Sequence, residues 1–350
     1  MQPIGSRQEY SRSEVPASAT VSGFHIALVK IGVLIALPAF IMGAELGFTL
    51  GLARALLAMT LGALVLAVLS MLTGTVAAKS RLSTSLIVRH AFGPMGARVI
   101  SGVLAVMLLG LYGVTAELFG ASLSRIAEQV FGIQIGTAPC IIGGSFLMVL
   151  TTIYGFRGLQ RLADLAVPVL LLALVAVAWR SALGLDAATL WTAPDDPASL
   201  GIGISAVIGG LAVGITIFPD LARFARSPRH AQGAAIASYG VGVPVVLLLA
   251  AIPSIVTGER DLIMIMTGLG LGIPALVFMV FTAWTTNSGN LYSSSLGLAN
   301  VFTRPSFPVL AGVAGIIGTV FALLGVSARL LPFLVMLGVT IPPIAGIYLA

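Results

Sequence analysis

Ten long apolar segments, most of them near 20 residues, run through this sequence of 350 residues. A bilayer offers no water to exposed backbone groups, so runs of this length without period-2 alternation predict transmembrane helices. Only 9% of the residues are charged and 58% are hydrophobic, which excludes a soluble domain of this size. We therefore predict an all-α polytopic membrane protein, embedded in the lipid bilayer, with apolar segments near residues 25–48, 54–77, 99–122, 138–156, 164–183, 200–218, 232–256, 264–292, 308–325 and 331–349.

The basic residues predict how these helices are oriented. With the N-terminus inside, twelve basic residues fall on the cytoplasmic side and five outside, as expected from the excess of Lys and Arg in cytoplasmic loops. Residues 1–22 are polar, and we expect a short cytoplasmic tail that packs no core, followed by one transmembrane domain at 23–350. The expected location is the plasma (inner) membrane, and no basic cluster indicates a nucleic-acid partner. The inside group is Arg7, Arg12, Lys79, Arg81, Arg89, Arg98, Arg157, Arg161, Arg223, Arg226, Arg229 and Arg304; the outside group is Arg54, Arg125, Arg180, Arg260 and Arg329.

Glycine and proline interrupt the segments that open the two halves of the chain, about 25–185 and 200–350. In transporters built from inverted repeats, paired interruptions of this kind mark broken helices whose backbone groups hold ion and substrate. The alternative is that glycine only allows close helix packing. The correspondence between the halves favours broken helices, at Pro38, Gly43 and Gly47 in segment one and at Gly201, Gly203, Gly209, Gly210, Gly214 and Pro219 in segment six.

Segment eight carries the densest polar cluster of the sequence, including Thr282, Thr285 and Thr286. The spacing i, i+3 and i+4 puts these three hydroxyls on one side of a helix, where they could complete an oxygen shell around a hard cation. Alternatively, each threonine only bonds the carbonyl four residues earlier in its own helix. The density of polar residues favours a site.

Three charged residues fall inside predicted helices. An intramembrane acid is by default a functional hypothesis, so Glu117 is a candidate proton carrier or partner of a cationic solute. Glu45 has the same two roles open to it, or it lies solvated near the outer mouth. Lys30 is expected to extend toward the cytoplasm. The sequence shows no nucleophile motif, P-loop or zinc pattern, which argues against an enzyme or an ATP-driven pump, and we expect no cofactor beyond a coupling ion.

Several motifs together resemble the nucleobase:cation symporter-1 family, of the purine and cytosine permease type. The resemblance implies a LeuT-like five-plus-five inverted-repeat core with two additional C-terminal helices, whereas this sequence ends after its tenth segment. It also implies alternating access with a cation, Na⁺ or H⁺, as coupling ion. The motifs are Gly74 through Lys79 continuing to Arg89, the Ala91, Phe92, Gly93 turn, Asp220 with Arg223 and Phe224, AWTTNSGNLYSSSLGLAN at 283–300, and IPPIAG at 341–346.

The same resemblance implies the site residues. Sodium would bind the backbone carbonyls of Gly32 and Ile35 and the hydroxyls of Thr285 and Thr286, beside Thr282. Where cytosine permeases offer polar and aromatic substrate ligands, this sequence has Leu108, Leu111, Gly210, Leu211, Val213 and Thr282. Tyr112, Trp284 and Glu117 could supply a different aromatic and a different acid.

We therefore expect cation-coupled uptake of a small-molecule solute, with a nucleobase such as cytosine as the leading candidate. A small apolar or cationic heterocycle would fit the leucine-lined pocket better, because buried polar edges left unpaired cost roughly 2 to 7 kcal/mol. A non-transporting or substrate-diverged membrane paralogue is the alternative, and an ion channel is a weaker third interpretation. The sequence leaves the solute, the coupling ion and the oligomeric state open.

Overall fold

A computed structural model of the chain describes residues 9–183, 190–192, 194 and 197–350, with the side chains of 328–335 and 337–339 left out. Throughout those ranges the ordered elements are helices, and an isolated parallel bridge joins Val21 to Ala225. Of the residues named above, Arg7 lies outside the described part, as does the side chain of Arg329.

Within the described residues, the first half of the chain forms five helices. The second half has about the same length and forms a larger number of shorter helices. The helices of the first half are α1 Gly23–Leu34, α2 Leu37–Ser80, α3 Thr84–Phe131, α4 Thr137–Ile153 and α5 Phe156–Ala182. Those of the second half are α6 Leu200–Thr216, α7 Pro219–Ala222, α8 Pro228–Ala235, a π-helical turn Ile236–Gly242, α9 Val243–Thr257, α10 Leu262–Gly268, α11 Gly272–Val301, α12 Phe307–Leu323 and α13 Leu330–Leu349. Short 3₁₀ turns occur at Ala17–Ala19 and Val326–Arg329.

Two of the long helices change direction at a glycine. Gly51 in α2 has φ 71° and Gly93 in α3 has φ 69°, a left-handed conformation that side chains other than glycine adopt at a cost. Each reversal separates two helical parts, so α2 contributes the end of the first predicted segment and all of the second. Gly203 of α6 packs against both parts, since a Cβ there would stand 2.6 Å from Leu50 and 3.0 Å from Ala58.

All ten predicted segments fall on helices. Among the described residues, four helical stretches are long and apolar enough to cross a membrane, at Leu37–Ser80, Thr84–Phe131, Phe156–Ala182 and Pro228–Thr257, and five shorter apolar helices accompany them. The prediction for segment eight, 264–292, was wrong in its bounds, because α10 ends at Gly268 and α11 runs from Gly272 to Val301. Its polar C-terminal half resembles a loop in sequence, yet it lies buried in the bundle.

Prolines, not glycines, mark the two helix breaks. α1 ends at Leu34 and α2 begins at Leu37, just before Pro38, with Ala36 in an extended conformation. α6 ends at Thr216, and α7 begins at Pro219. Proline lacks the N–H that would continue the preceding helix and fits the first turn of the next one, where Pro38 and Pro219 lie, so each break comes just before a proline.

The glycines of segment one serve close packing instead. Gly43 and Gly47 lie within the continuous part of α2 and face α9. A Cβ at Gly43 would stand 2.6 Å from the carbonyl oxygen of Leu247, and one at Gly47 would stand 3.1 Å from Ile255. The packing interpretation of glycine therefore applies to these two residues.

Replacing Gly43 by alanine is expected to lower the free energy of unfolding by about 1–3 kcal/mol, because a backbone atom of α9 has to move to make room. Gly143→Ala is the matched control, since no atom lies within 4 Å of its Cβ position. Thermal unfolding of both variants in the same detergent measures the difference. An equal midpoint for the two variants would contradict the close contact.

The N-terminal segment, residues 9–22, packs against one end of the bundle, so the expectation of a tail outside the core was wrong for these residues. Val15 is fully buried and its N–H donates to the carbonyl of Arg81 at 3.1 Å. Val21 N–H donates to Phe224 O at 2.7 Å, and Arg226 N–H donates to Val21 O at 3.1 Å. These backbone bonds hold the polar segment against the helix ends, so it packs there without a large apolar surface of its own.

Candidate functional site

Thr285 on α11 faces the end of α1. Its Oγ1 lies 2.8 Å from the carbonyl oxygen of Gly32, 2.9 Å from that of Phe281 and 3.2 Å from that of Thr282. A hydroxyl has one proton to donate, so it can satisfy only one of these three oxygens. The site around Thr285 therefore holds more oxygen acceptors than protons.

Thr286 makes the same kind of approach one residue further on. Its Oγ1 lies 3.3 Å from the carbonyl oxygen of Val33 and 3.4 Å from that of Ile35. Both threonines are nearly buried, with 5% and 6% of their surface exposed. The structure thus brings four of the five predicted metal ligands, Gly32, Ile35, Thr285 and Thr286, to one place where α1 ends.

The carbonyls of this site belong to the last turn of α1. The helix stops at Leu34, so its final carbonyls lack the N–H partners that a continuing helix would provide. They also form the negative end of the α1 dipole. The break before Pro38 is therefore what exposes Gly32, Val33 and Ile35 to the threonines.

Thr282, the fifth predicted ligand, lies one turn earlier on α11. It is fully buried, and its Oγ1 has no hydrogen-bond partner within the described residues. Its carbonyl oxygen is one of the three beside Thr285 Oγ1. A buried hydroxyl without a hydrogen-bond partner is uncommon, which keeps Thr282 among the candidate ligand residues.

The predicted substrate residues of α3 and α6 are apolar. Leu108 is buried and Leu111 is partly buried on α3. On α6, Val213 is buried, Leu211 is partly buried, and Gly210 is exposed, with Met42 of α2 3.2 Å from its Cβ position. The walls that these residues provide offer no side-chain hydrogen bond to a solute.

The two predicted aromatic residues point elsewhere. Tyr112 packs its ring on Gly318 of α12, and its carbonyl accepts from Asn287 Nδ2 at 3.1 Å. Trp284 Nε1 donates to Thr151 Oγ1 on α4 at 2.7 Å, and its indole stacks on Phe281. Both aromatics therefore stabilise contacts of α3 and α11 with α4 and α12.

Glu117 is bound to the connection between α12 and α13. Its carboxylate accepts from Ser327 N and from Ser327 Oγ, each at 2.7 Å. These bonds cap the 3₁₀ turn Val326–Arg329. The structure gives this carboxylate a structural partner in place of the solute that the sequence suggested.

Glu117→Gln is expected to lower the free energy of unfolding by about 1–2 kcal/mol, because the bonds to Ser327 lose their charge. Solute affinity should stay within about twofold, since the carboxylate is occupied by Ser327. Thermal unfolding and ligand titration measure the two effects, with Glu128→Gln, an exposed carboxylate, as the control. Loss of binding at unchanged stability would instead make Glu117 a solute ligand.

The other two intramembrane charges have different surroundings. Glu45 is about half exposed and pairs with Arg260 at 3.2 Å, consistent with the solvated interpretation. Lys30 is only 3% exposed, and its Nζ lies 5.1 Å from the ring centroid of Tyr239. The expectation that Lys30 extends toward the cytoplasm was wrong, because its side chain turns into the bundle.

Sequence reasoning missed one ligand of the site region, Val33, and the burial of Arg223, which it had named only as a basic residue of a motif. Val33 contributes a carbonyl, which any residue could supply, so only the exact end of α1 could have identified it. Arg223 is fully buried and donates to Tyr10 O at 2.8 Å, Glu9 O at 3.1 Å and Tyr292 Oη at 2.8 Å. It thereby connects the N-terminal segment to α11, six residues beyond Thr286.

Known proteins resemble the chain over nearly its whole length. The family model described as permease for cytosine/purines, uracil, thiamine, allantoin matches residues 15–350. Cytosine permease of Escherichia coli strain K12 is 28% identical over 343 residues, 97% of this chain and 80% of the permease.

Solved structures share the fold. Mhp1, a nucleobase-cation-symport-1 family transporter, in a closed conformation with bromovinylhydantoin bound, matches with TM-score 0.86 at 20% identity, over 98% of this chain and 81% of Mhp1. A Na⁺-coupled sialic acid symporter matches with TM-score 0.75 at 13% identity, over 95% of this chain and 78% of the symporter. These matches confirm the predicted LeuT-like five-plus-five architecture.

The family match also decides between the predicted classes of function. Its members are permeases, so the prediction that the chain is no enzyme is confirmed, and the non-transporting alternative is not favoured. The chain is a multi-pass membrane protein and carries a small-molecule solute. It therefore belongs to the family of permeases for cytosine/purines, uracil, thiamine and allantoin, and it is a secondary transporter.

Proposed function

We propose that this transporter couples the uptake of a nucleobase or related small heterocycle, such as cytosine, to the entry of Na⁺. The ion would bind Gly32 O, Val33 O, Ile35 O, Thr285 Oγ1 and Thr286 Oγ1. The solute would bind on the other side of the α1 break, toward α3 and α6, and transport would proceed by alternating access.

The observation that carries the proposal is the excess of oxygens over protons where α11 meets the end of α1. Two hydroxyl protons face the three carbonyls of Gly32, Val33 and Ile35, at 2.8 to 3.4 Å, and the Thr285 hydroxyl is shared with the Phe281 carbonyl of its own helix. Hard cations take oxygen ligands, and a monovalent ion needs no carboxylate when carbonyl dipoles surround it. Carbonyl and hydroxyl groups do not take up a proton near neutral pH, which favours Na⁺ over H⁺ as the ion bound here.

The choice of solute class rests on the relatives. The curated relative is named a cytosine permease, and Mhp1 is solved with a hydantoin bound, so both names point to small ring compounds. The apolar walls at Leu108, Leu111 and Val213 favour a ring that presents few unpaired polar edges. A methylated or otherwise apolar base therefore fits this pocket better than cytosine itself.

We also propose that the N-terminal segment lies in the cytoplasm and that the protein resides in the plasma (inner) membrane. The twelve-to-five distribution of basic residues supports this orientation. Of the predicted inside group, Arg12 lies in the N-terminal segment and Arg223 bonds to that segment. Of the predicted outside group, Arg125 pairs with Asp261 and Arg260 pairs with Glu45.

Thermal unfolding of the purified protein tests the proposal, because a ligand that binds only the native state raises the unfolding temperature. Nucleobases and related heterocycles are screened in sodium and in choline buffers of equal ionic strength. We expect sodium alone to stabilise the protein and one ring compound to add a further shift only when sodium is present. A solute shift of equal size in choline would overturn the sodium coupling, and no shift with any ring compound would overturn the solute class.

A further inference from the structure

Lys30 buries its amine inside the bundle with no carboxylate partner among the described residues. On α1 it faces the opposite side from Gly32, because two helical positions turn the side chain by about 200°. Lys30 is 3% exposed, and its only recorded contact of a polar kind, within the described chain, is with the face of the Tyr239 ring. A cation gains from an aromatic face, but that gain does not replace lost hydration.

Gly214 on α6 brings the polar ends of Lys30 and Tyr239 together. A Cβ at Gly214 would overlap Tyr239 Oη and stand 2.7 Å from Lys30 Nζ. Both groups therefore reach the α6 backbone at this point. Gly214 follows Val213 directly and lies one turn beyond Gly210, so this place adjoins the wall of α6 that the proposed solute would contact.

The hydroxyl groups at this place have no partner outside their own pair. Tyr239 Oη and Ser70 Oγ of α2 are both buried and lie close enough to bond each other, and neither bonds any other group among the described residues. An ammonium group only donates, and a hydroxyl pair that bonds internally still has one proton free. Lys30, Tyr239 and Ser70 therefore bring an excess of hydrogen-bond donors to this place.

We propose that Lys30, Tyr239 and Ser70 form a binding site for a small monovalent anion. The anion is either a halide such as chloride or the carboxylate of a transported heterocycle, since both neutralise the ammonium and accept from the hydroxyls. The carboxylate source rests on the proposed function, whereas the halide source does not. A positively charged solute is disfavoured next to this site.

Thermal unfolding at constant sodium tests the site. The protein is held in sodium gluconate, an open-chain polyol anion that is neither a halide nor a planar ring, and is titrated with sodium chloride or with orotate, a pyrimidine carboxylate. Uracil serves as the neutral counterpart of orotate. We expect one of the two anions to raise the unfolding temperature by about 2 °C or more in a saturable manner.

The variants assign that effect to the three groups. Lys30→Met should abolish the anion shift, and Tyr239→Phe, which removes one hydroxyl, should raise the apparent Kd roughly tenfold. Lys79→Met is the matched control, because Lys79 is the other lysine of the sequence and is exposed. If Lys30→Met does not fold, Lys30→Arg should keep the anion shift, since it keeps the charge.

Three outcomes would overturn the site: no saturable shift with either anion, an undiminished shift in Lys30→Met, or an unchanged Kd in Tyr239→Phe. A chloride shift without an orotate shift identifies the halide as the ligand, and the reverse identifies the carboxylate. Failure here leaves the sodium response of Thr285 and Thr286 unchanged, so the two proposals fail separately.

Discussion

Replacing both Thr285 and Thr286 by alanine is expected to abolish sodium-dependent uptake while the protein still folds. Each hydroxyl lost from a bound cation costs about 1.5–3 kcal/mol, so the pair should weaken sodium binding by roughly 10²- to 10⁴-fold. The fold should tolerate the change, because each alanine gives up a neutral hydrogen bond worth about 0.5–1.5 kcal/mol and favours the helix. Sodium titration of the thermal shift and of solute uptake measures the effect.

A matched control uses two buried serines whose hydroxyls bond only the preceding turn of their own helix. Ser238 Oγ donates to Ala234 O at 2.7 Å, and Ser254 Oγ donates to Ala250 O at 3.1 Å. Ser238→Ala with Ser254→Ala should leave sodium dependence unchanged. An equal sodium affinity in the threonine double variant and in the native protein would place the ion elsewhere.

Arg223→Met is expected to have the largest effect on stability. The guanidinium is fully buried and makes four hydrogen bonds, three of them to backbone carbonyls and one to Tyr292 Oη. Methionine leaves these acceptors buried without a donor, so the free energy of unfolding should fall by about 3–5 kcal/mol. The N-terminal segment should detach, because two of the bonds are to Glu9 and Tyr10.

Limited proteolysis within the N-terminal segment, together with thermal unfolding, measures both consequences. Arg12 offers a trypsin site there, which the bonds of its guanidinium to Ala299, Phe302 and Pro305 protect in the native arrangement. Arg229→Met, an exposed residue close in sequence, should change neither observable. Native-like protection of the segment in Arg223→Met would show that Arg223 does not hold it.

The helix breaks could be predicted from the sequence, through the prolines among the residues that marked them. Both interrupted segments were identified by their glycines and prolines, and the breaks lie just before Pro38 and Pro219. Proline acts locally, by removing a donor and restricting its neighbour, so its effect can be read from the sequence. Glycine acts through what packs against it, as Gly43 does against α9, and that partner lies about 200 residues away.

The candidate ion ligands could likewise be predicted from local sequence, whereas the surroundings of the candidate solute residues depend on distant parts of the chain. That Thr282, Thr285 and Thr286 share one side of a helix follows from their spacing, and the structure brings Thr285 and Thr286 into contact with the end of α1. The direction of Glu117 and Trp284 depends on Ser327 and Thr151, their partners on other helices. Composition alone could not show that the polar N-terminal segment would find backbone partners on helix ends.

Uptake into proteoliposomes tests the central claim most directly. The purified protein is reconstituted without a membrane potential, and accumulation of radiolabelled cytosine and the ring compounds selected by thermal shift is followed with an inward sodium gradient or none. The account predicts accumulation above the external concentration only with the sodium gradient, and loss of it in the Thr285→Ala, Thr286→Ala variant. Accumulation that follows a proton gradient and ignores sodium, or no uptake of any ring compound, would contradict it.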